Sequence, residues 1–285
     1  MWILFTLIYS FIKGARDLIK KKALQKNTAS EVLLLYTLAA LVLVLPEAGG
    51  AMNASAPAVL LAALKAAILF FAYLCSFHAI KNLPVGLYGV VDLSRMMFSI
   101  LLGVVFLQEV LGPWQVVGMI LVAAGILLLK SPAKGSSTQK QQTNRIYIAL
   151  AFVQSFLNAC SGVLDKVAMR HMTGGQLQFW FLLFLAMFYI IYALFTNVKI
   201  CWKTALKNHW IWIISILFVF SDRLLFLANG MEESQVVIMT LLKRSGCFVT
   251  ILGGRLFFKE TNICRKLTCA AIVLAGILLA VLLPA

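Results

Sequence analysis

The sequence predicts an all-α integral membrane protein, with ten transmembrane helices arranged as two inverted repeats of five helices. Three observations support this fold class: an apolar composition, ten apolar runs of spanning length, and an internal sequence repeat. Hydrophobic residues make up 62% of the 285 residues, and the mean hydropathy is +0.96. Soluble domains are more polar, so this composition predicts that nearly the whole chain lies in or at a bilayer.

Ten apolar runs are the candidate membrane spans, because a helix of about 20 apolar residues crosses roughly 30 Å of hydrocarbon. They lie at about 2–24, 31–46, 57–80, 84–107, 112–129, 146–169, 176–196, 209–230, 235–257 and 262–283. The six cysteines lie mostly within these runs and show no CxxC spacing, so we interpret them as small packing residues.

The stretch between the fifth and sixth spans divides the chain. It reads KSPAKGSSTQKQQTN at 130–144, and its Pro, Gly, Ser, Gln and Lys residues are typical of a flexible linker rather than of a packed core. The predicted organisation is a first five-span repeat at 1–129, a polar linker at 130–145 and a second five-span repeat at 146–285.

The two halves repeat one sequence pattern. A shift of 151 residues, from Glu109 to Glu260, aligns the ends of the halves without a gap. The landmarks that coincide are Ser94 with Ser245, Gly103 with Gly254, Glu109 with Glu260, and 125–128 with 276–279. A shift of 145 aligns their beginnings, with Ser10 on Ser155 and Thr28 on Thr173. An odd number of spans makes the halves run oppositely through the membrane, as in transporters whose substrate site lies between the repeats.

Basic residues indicate an orientation. They concentrate in the loops after spans 1, 3, 5, 7 and 9, whereas the opposite side offers only Lys166 and Arg170. The positive-inside rule therefore predicts that both termini lie outside and that the linker lies in the cytoplasm. The net charge of +15 follows from these loops and does not indicate nucleic-acid binding.

Span 1 carries a polar stripe. Lys13, Arg16 and Asp17, with Lys20 one turn on, lie on one helical face. Their counterparts in span 6 are also polar or small, beginning with Asn158. Charges within spans are costly and usually face a cavity, so the stripe is predicted to line one. The alternative is that Lys13 and Asp17 form a neutralised structural pair, while the lower turns reach the interface.

Spans 4, 8 and 9 carry further buried charges. Asp92 of span 4 aligns with Lys243 of span 9, so these two opposite charges are either ligand groups or structural partners across the repeats. His78 of span 3 aligns with Asn229 of span 8, and a histidine in a span either carries a proton or forms a packing hydrogen bond. The predicted substrate-binding residues are Lys13, Arg16, Asp17, His78, Asp92, Arg95, Asn158, Asp222, Asn229, Lys243 and Arg244.

The charges deep within the spans do not balance. There are three carboxylates and six cations. The carboxylates are Asp17, Asp92 and Asp222, and the cations are Lys13, Arg16, Arg95, Arg223, Lys243 and Arg244. A dry cavity does not keep uncompensated cations, so either water or an anionic ligand group is expected there.

Glu109 and Glu260 sit beside breaks in the apolar pattern and are predicted to be caps or loop anchors.

The segments FLQEVLGPWQVVGMILVAAGILLL and FFKETNICRKLTCAAIVLAGILLA, with the matching runs before them, resemble the EamA-type transporters of the drug/metabolite transporter superfamily. The resemblance implies a ten-helix bundle, a central cavity lined by spans 1, 3, 4, 6, 8 and 9, and alternating access. It also implies cytoplasmic termini, from which the loop charges of this chain depart.

The pair Lys243-Arg244 resembles the Lys-Arg pair that holds phosphate in the sugar-phosphate and nucleotide-sugar branch of this superfamily. That branch has a further lysine in span 4, where this chain has Asp92. The resemblance to a phosphate site is therefore weakened, and a carboxylate or a zwitterion remains open.

Together these features predict a secondary transporter, an exporter or exchanger of a small polar or anionic organic metabolite, in the bacterial cytoplasmic membrane. One alternative is an exporter of amphiphilic cations or drugs attracted by the buried aspartates. Another is an intramembrane enzyme or lipid-handling scaffold, but no HExxH, GxSxG or P-loop motif is present. We expect no enzyme activity, cofactor or metal. The expected partners are the substrate, lipid, and a coupling ion or counter-substrate, for a monomer or homodimer.

Overall fold

The structure is a computed structural model that describes residues 2–107, 113–130, 138–196, 202–229, 242–260 and 262–282. Within these ranges every regular element is a helix. The helices are α1 Trp2–Ala23, α2 Ala29–Val44, a 3₁₀ turn Leu45–Glu47, α3 Ala48–Ala51, α4 Ala56–Asn82, α5 Val85–Asp92, α6 Arg95–Leu107, α7 Pro113–Lys130, α8 Thr138–Ala168, α9 Gly174–Phe195, α10 Trp202–Lys207, α11 His209–Asn229, α12 Gly246–Phe258 and α13 Ile263–Leu282. The predicted all-α class is therefore confirmed.

Four helical stretches are both long and apolar enough to cross a membrane. They are Ala29–Ala51, Ala56–Asn82, Arg145–Asp165 and Gly174–Phe195. The predicted first and fourth spans do not meet this measure of length and composition. The charged stripe lowers the hydropathy of α1, and the fourth span is divided into the shorter helices α5 and α6. The chain is a multi-pass membrane protein, whereas ten spans in two inverted repeats stay a prediction.

The second spans of both halves begin with the same cap. The hydroxyl of Thr28 accepts the N–H of Glu31 at 3.3 Å, and the Glu31 carboxylate accepts the N–H of Thr28 at 2.9 Å. Thr173 and Gln176 repeat this arrangement at 3.4 and 2.9 Å. Such a capping box satisfies two backbone N–H groups that a helix start leaves unpaired. The alignment of Thr28 with Thr173 thus has a physical basis.

Part of the predicted linker is helical, because α8 begins at Thr138 and includes residues 138–145; the division into two repeats joined by a linker stays a prediction. The segment TQKQQ contains neither Gly nor Pro, and Gln and Lys lose little side-chain freedom in a helix. Helix α8 therefore begins within the polar segment, before the apolar run of the predicted sixth span. Residues 131–137 lie outside the described ranges.

The predicted fourth span is two helices rather than one. The N–H groups of Leu93 and Ser94 bond to carbonyls three residues earlier, at 3.2 and 3.0 Å, which tightens and interrupts the helix between Asp92 and Arg95. A similar interruption precedes α12 at Ser245, the residue that aligns with Ser94. Charged side chains therefore flank an interruption in each half.

Small residues allow the central helices to approach closely. A Cβ added to Gly14 of α1 would lie 2.6 Å from the carbonyl oxygen of Gly246 and 2.7 Å from Cβ of Val249 in α12. Further along, Gly253 packs against Leu18, so α1 and α12 run in the same direction. In addition, α1 packs on α11, α4 on α8 and α9, α5 on α12, and α7 on α13.

We predict that Gly14→Ala lowers the free energy of unfolding by about 1–3 kcal/mol, because the added methyl overpacks the α1–α12 contact. Gly49→Ala is the matched control, since nothing lies within 4 Å of its added Cβ, and it should leave stability unchanged or raise it by about 0.5–1 kcal/mol. Apparent melting temperatures of the purified proteins measure both. Equal effects of the two substitutions would contradict the packing.

Candidate substrate-binding site

A small cavity of about 20 Å³, enough for about one water molecule, lies between α1, α5 and α12. Pockets that hold small molecules are usually about 300 Å³ or larger, so substrate binding requires these helices to separate further. Its walls combine charged side chains with small residues. They are Lys13, Gly14, Asp17, Gly89, Asp92, Leu93, Lys243, Arg244, Gly246, Cys247 and Thr250.

Asp92 is the centre of the polar network in this cavity. Its Oδ2 accepts a hydrogen bond from Lys13 Nζ at 2.8 Å and lies 3.9 Å from Arg244 Nη1. Its Oδ1 accepts a hydrogen bond from Gln154 Nε2 at 2.8 Å. One carboxylate at the end of α5 therefore joins α1, α8 and the turn that leads into α12.

The cations around Asp92 outnumber the acids available to them. In the described part of the chain, neither Arg95 nor Lys243 has a carboxylate within 4 Å. The Arg244 side chain is 9% exposed, and its Nε has no hydrogen-bond partner there. Buried cations without partners are costly, so the cavity is electrostatically suited to an anionic group.

Arg16 and Asp222 form a separate pair between α1 and α11. Arg16 Nη1 donates to the hydroxyl of Ser221 at 2.9 Å and lies 3.9 Å from Asp222 Oδ1. The guanidinium also stacks 4.7 Å from the ring centroid of Phe218. These contacts fix Arg16 on the α11 side of α1, outside the lining of the cavity. Both residues were predicted for the site, but the structure places them beside it.

Two ion pairs that the sequence left open as alternatives are not found in the described part of the structure. Asp17 binds Lys20 at 3.1 Å instead of Lys13, because residues three apart meet on one helix face. The cation on Asp92 is Lys13 of α1 rather than its repeat-related residue Lys243. Lys243 nevertheless lines the same cavity and is free to meet a ligand.

The remaining predicted residues take different positions. His78 lies on the exposed face of α4 and does not join the cavity, which corrects its prediction as a binding residue. Asn158 is connected to Asp92 only through Gln154. Its Nδ2 donates to Gln154 Oε1 at 2.6 Å and thereby orients the amide that binds Asp92. The guanidinium of Arg95 lies near Gly162 of α8. The side chain of Asn229 is outside the described part.

Sequence reasoning missed Gln154 and the pair Lys65–Asp165. Gln154 lies four residues before Asn158, on the same helix face, so the polar stripe of span 6 indicated it. Lys65 interrupts the third apolar run and ion-pairs with Asp165 across α4 and α8. A lone cation in mid-span was the signal for that pair.

Glu260 is a helix cap, as predicted. Its carboxylate accepts the N–H groups of Val85 and Gly86 at the start of α5, the latter at 3.2 Å, and binds Lys266 Nζ at 2.7 Å. The capped helix belongs to the opposite half of the chain. Glu109 lies outside the described residues.

These observations define a multi-pass helical membrane protein with a polar, cation-rich cavity between its halves. Residues 1–131 match the model of the EamA-like transporter family, which is part of the drug/metabolite transporter superfamily. The predicted resemblance is thereby confirmed, and the family consists of membrane transporters rather than enzymes.

One of 21 matching solved chains, described only as the crystal structure of a protein, is 16% identical with a TM-score of 0.64. The match covers 98% of this chain and 95% of that one, so the similarity of fold extends over nearly the whole protein. No curated protein matches the sequence.

We predict strong coupling between Lys13 and Asp92. Lys13→Met or Asp92→Asn alone should lower stability by about 1–3 kcal/mol, because each leaves a partly buried charge without its partner. The double variant should lose at least about 1 kcal/mol less than the sum of the two. Lys243→Met combined with Asp92→Asn is the matched control, and its effects should add within about 0.5 kcal/mol. Unfolding measurements that show additivity for Lys13 and Asp92 would contradict the pairing.

Proposed function

We propose that the protein is a secondary transporter that moves a small organic anion by alternating access through the cavity between its two halves. The observation behind this proposal is the surplus of cations around Asp92, which a substrate carboxylate would complete. The proposed location is the bacterial cytoplasmic membrane, where the chain works as an exporter or exchanger, monomer or homodimer, together with a coupling ion or counter-substrate.

Helix packing supports the inverted repeat on which alternating access depends. Each contact is compared with the contact between the corresponding helices of the other half. The contact α1–α11 corresponds to α4–α8, the contact α1–α12 corresponds to α6–α8, and all four are present. Two pairs, α2–α9 and α7–α13, are their own counterparts, and α5–α12 joins the predicted fourth and ninth spans, which correspond to each other. Contacts of Gly89 with Thr250 and of Gly86 with Ile251 indicate that α5 and α12 run in opposite directions. This is the relation expected for helices on either side of a two-fold axis in the membrane plane.

The donors that remain available favour a carboxylate as the recognised group. Arg244 presents a planar fork, and Asp92 approaches only Nη1, at the loose distance of 3.9 Å. Lys243, which has no carboxylate within 4 Å among the described residues, adds an ammonium on the same cavity wall. A carboxylate bound by both would therefore add charge-assisted hydrogen bonds without first breaking the shorter Lys13–Asp92 bond.

The cavity is less suited to an amphiphilic cation. Its two acids are already engaged, Asp17 by Lys20 at 3.1 Å and Asp92 by Lys13 at 2.8 Å. A cationic substrate would have to displace a lysine and approach Lys243 and Arg244 at the same time.

A thermal-shift series on the purified protein tests this function, since a ligand that binds the folded state raises its apparent melting temperature. The series contains acetate, succinate, inorganic phosphate, a zwitterionic amino acid and a quaternary ammonium compound. We expect stabilisation by one or more of the carboxylates. Stabilisation by the quaternary ammonium compound alone would reject the anion site in favour of a cation exporter.

Arg244→Lys should weaken binding of the stabilising carboxylate by about tenfold or more, because the charge is kept while the fork is lost. Arg255→Lys is the matched control, since Arg255 is exposed on the same helix run and lies outside the cavity. Ligand titrations followed by melting temperature give both affinities. Unchanged affinity in Arg244→Lys and Arg244→Ala would contradict the role of this arginine.

A further inference from the structure

A helix start in the first half of the chain is capped by an acid from the second half. Glu260 follows α12, yet its carboxylate accepts the N–H groups of Val85 and Gly86, the first two residues of α5. Caps normally come from residues next to the helix they cap. This cap therefore fastens two separate parts of the chain.

The local backbone explains how Glu260 reaches this position. Lys259 ends α12 in the left-handed conformation, with φ of 51°, and the N–H of Glu260 bonds back to the carbonyl of Gly254 at 3.2 Å. This turn folds Glu260 over the last helical turn. A Cβ on Gly254 would lie 2.8 Å from Glu260 Oε2, so only glycine leaves room for the carboxylate. Gly254 and Glu260, which are two of the residues that align between the repeats, therefore act together in this cap.

The bond is buried and charge-assisted. The Glu260 side chain is 7% exposed and that of Lys266, which binds it at 2.7 Å, is 9% exposed. A carboxylate that accepts N–H groups at a helix start also interacts favourably with the positive end of the helix dipole. Hydrogen bonds to charged groups are about twice as strong as neutral ones, so this cap resists separation of α5 from the α12–α13 turn.

The capped helix closes one end of the cavity. Between the cap and Asp92, α5 lies directly against α12. A Cβ on Gly86 would lie 3.3 Å from Cα of Ile251, and one on Gly89 would overlap the hydroxyl of Thr250. Gly89, Asp92 and Thr250 are themselves cavity-lining residues. The close α5–α12 contact, the α5–α12 seam, therefore lies between the cavity and the end of the helices at which Glu260 sits.

We infer that Glu260 is a positioning residue that holds α5, the half-helix that ends at Asp92, in the closed position, and that release of this cap opens the cavity to the Glu260 face. The inference rests on the proposed alternating-access function. The interruption between α5 and α6 allows α5 to move as a short rigid unit. Movement of α5 also carries Asp92 away from Lys13, so opening and substrate exchange are linked.

Cys247 reports the opening, because it lines the cavity and is only 6% exposed. The test uses the full-length protein in oriented vesicles with Cys247 as the one remaining cysteine, after alanine replacement of Cys75, Cys160, Cys201, Cys264 and Cys269. An impermeant thiol reagent is applied to either face. Glu260→Gln should accelerate labelling from the Glu260 face by about tenfold, because it weakens the charge-assisted bonds that hold α5 in place.

A second variant tests the same seam without a change of charge. In Gly86→Ala the new Cβ would lie 3.2 Å from Glu260 Oε2 and 3.1 Å from Cδ of Lys266, so it should wedge the cap and accelerate labelling from the same face. Glu31→Gln is the matched control, because Glu31 is a buried acid that caps the helix of its own segment. Its labelling rates should equal those of the parent protein.

The inference is overturned if both seam variants remain folded and label Cys247 at the parent rate, or if they accelerate labelling equally from both faces, which indicates general loosening. Carboxylate-induced stabilisation is measured on the same preparations. Face-specific acceleration without any such stabilisation supports the cap and rejects only the proposed substrate class. Stabilisation with unchanged labelling rejects the cap and leaves the anion site standing.

Discussion

The arrangement of the cavity depends on the electrostatic position of Asp92. A carboxylate removed from water is costly unless charged and polar partners surround it. Lys13 and Gln154 each donate a hydrogen bond to Asp92, and the Arg244 guanidinium lies 3.9 Å away, so its partners come from three separate parts of the chain. Because a single acid is shared, the site keeps a positive surplus on Lys243 and Arg95. Asp92 thus stabilises the cavity and, in the proposed function, occupies the place that a substrate anion would take. This dual role connects the stability of the bundle to its proposed function.

The helix interruptions place these charges at the centre of the fold. Asp92 is the last residue of α5, Arg95 is the first of α6, and Arg244 directly precedes the interruption at Ser245. Within a membrane, irregular backbone is tolerated only where protein buries it or where it lines a wet cavity. Discontinuous helices also provide short units that move without disturbing the rest of the bundle. The close glycine contacts along α1, α5 and α12 then determine which unit can separate.

The fold class and the family were predictable because their signals are local. Apolar runs, polar stripes and the Gly and Glu landmarks can be read from the sequence without knowledge of packing. Thr28 aligned with Thr173 for the same reason, since both start a helix. The interruption at Ser94 was not predictable from hydropathy, because the apolar run resumes directly after Asp92, Ser94 and Arg95.

The pairing of charges depends on which helices touch, and the repeat alone does not determine this. It suggested Lys243 as the partner of Asp92, whereas α1 brings Lys13 to that acid. His78 lies on a helix that is apolar on most sides, so its periodicity gave no face to assign. The helical start of α8 reflects the helix propensity of Gln and Lys, which the linker composition concealed.

The central claim is that Asp92 is an internal anion in a cavity with surplus positive charge. The most direct measurement is the affinity of Asp92→Asn for succinate, acetate and inorganic phosphate, compared with the parent protein by titration calorimetry under the same buffer and salt. Since the neutral amide no longer competes for Lys13 and Arg244, the account predicts at least about tenfold tighter binding of one of these anions, equal to about 1.4 kcal/mol. Unchanged or weaker binding of all three by a folded Asp92→Asn protein would contradict it.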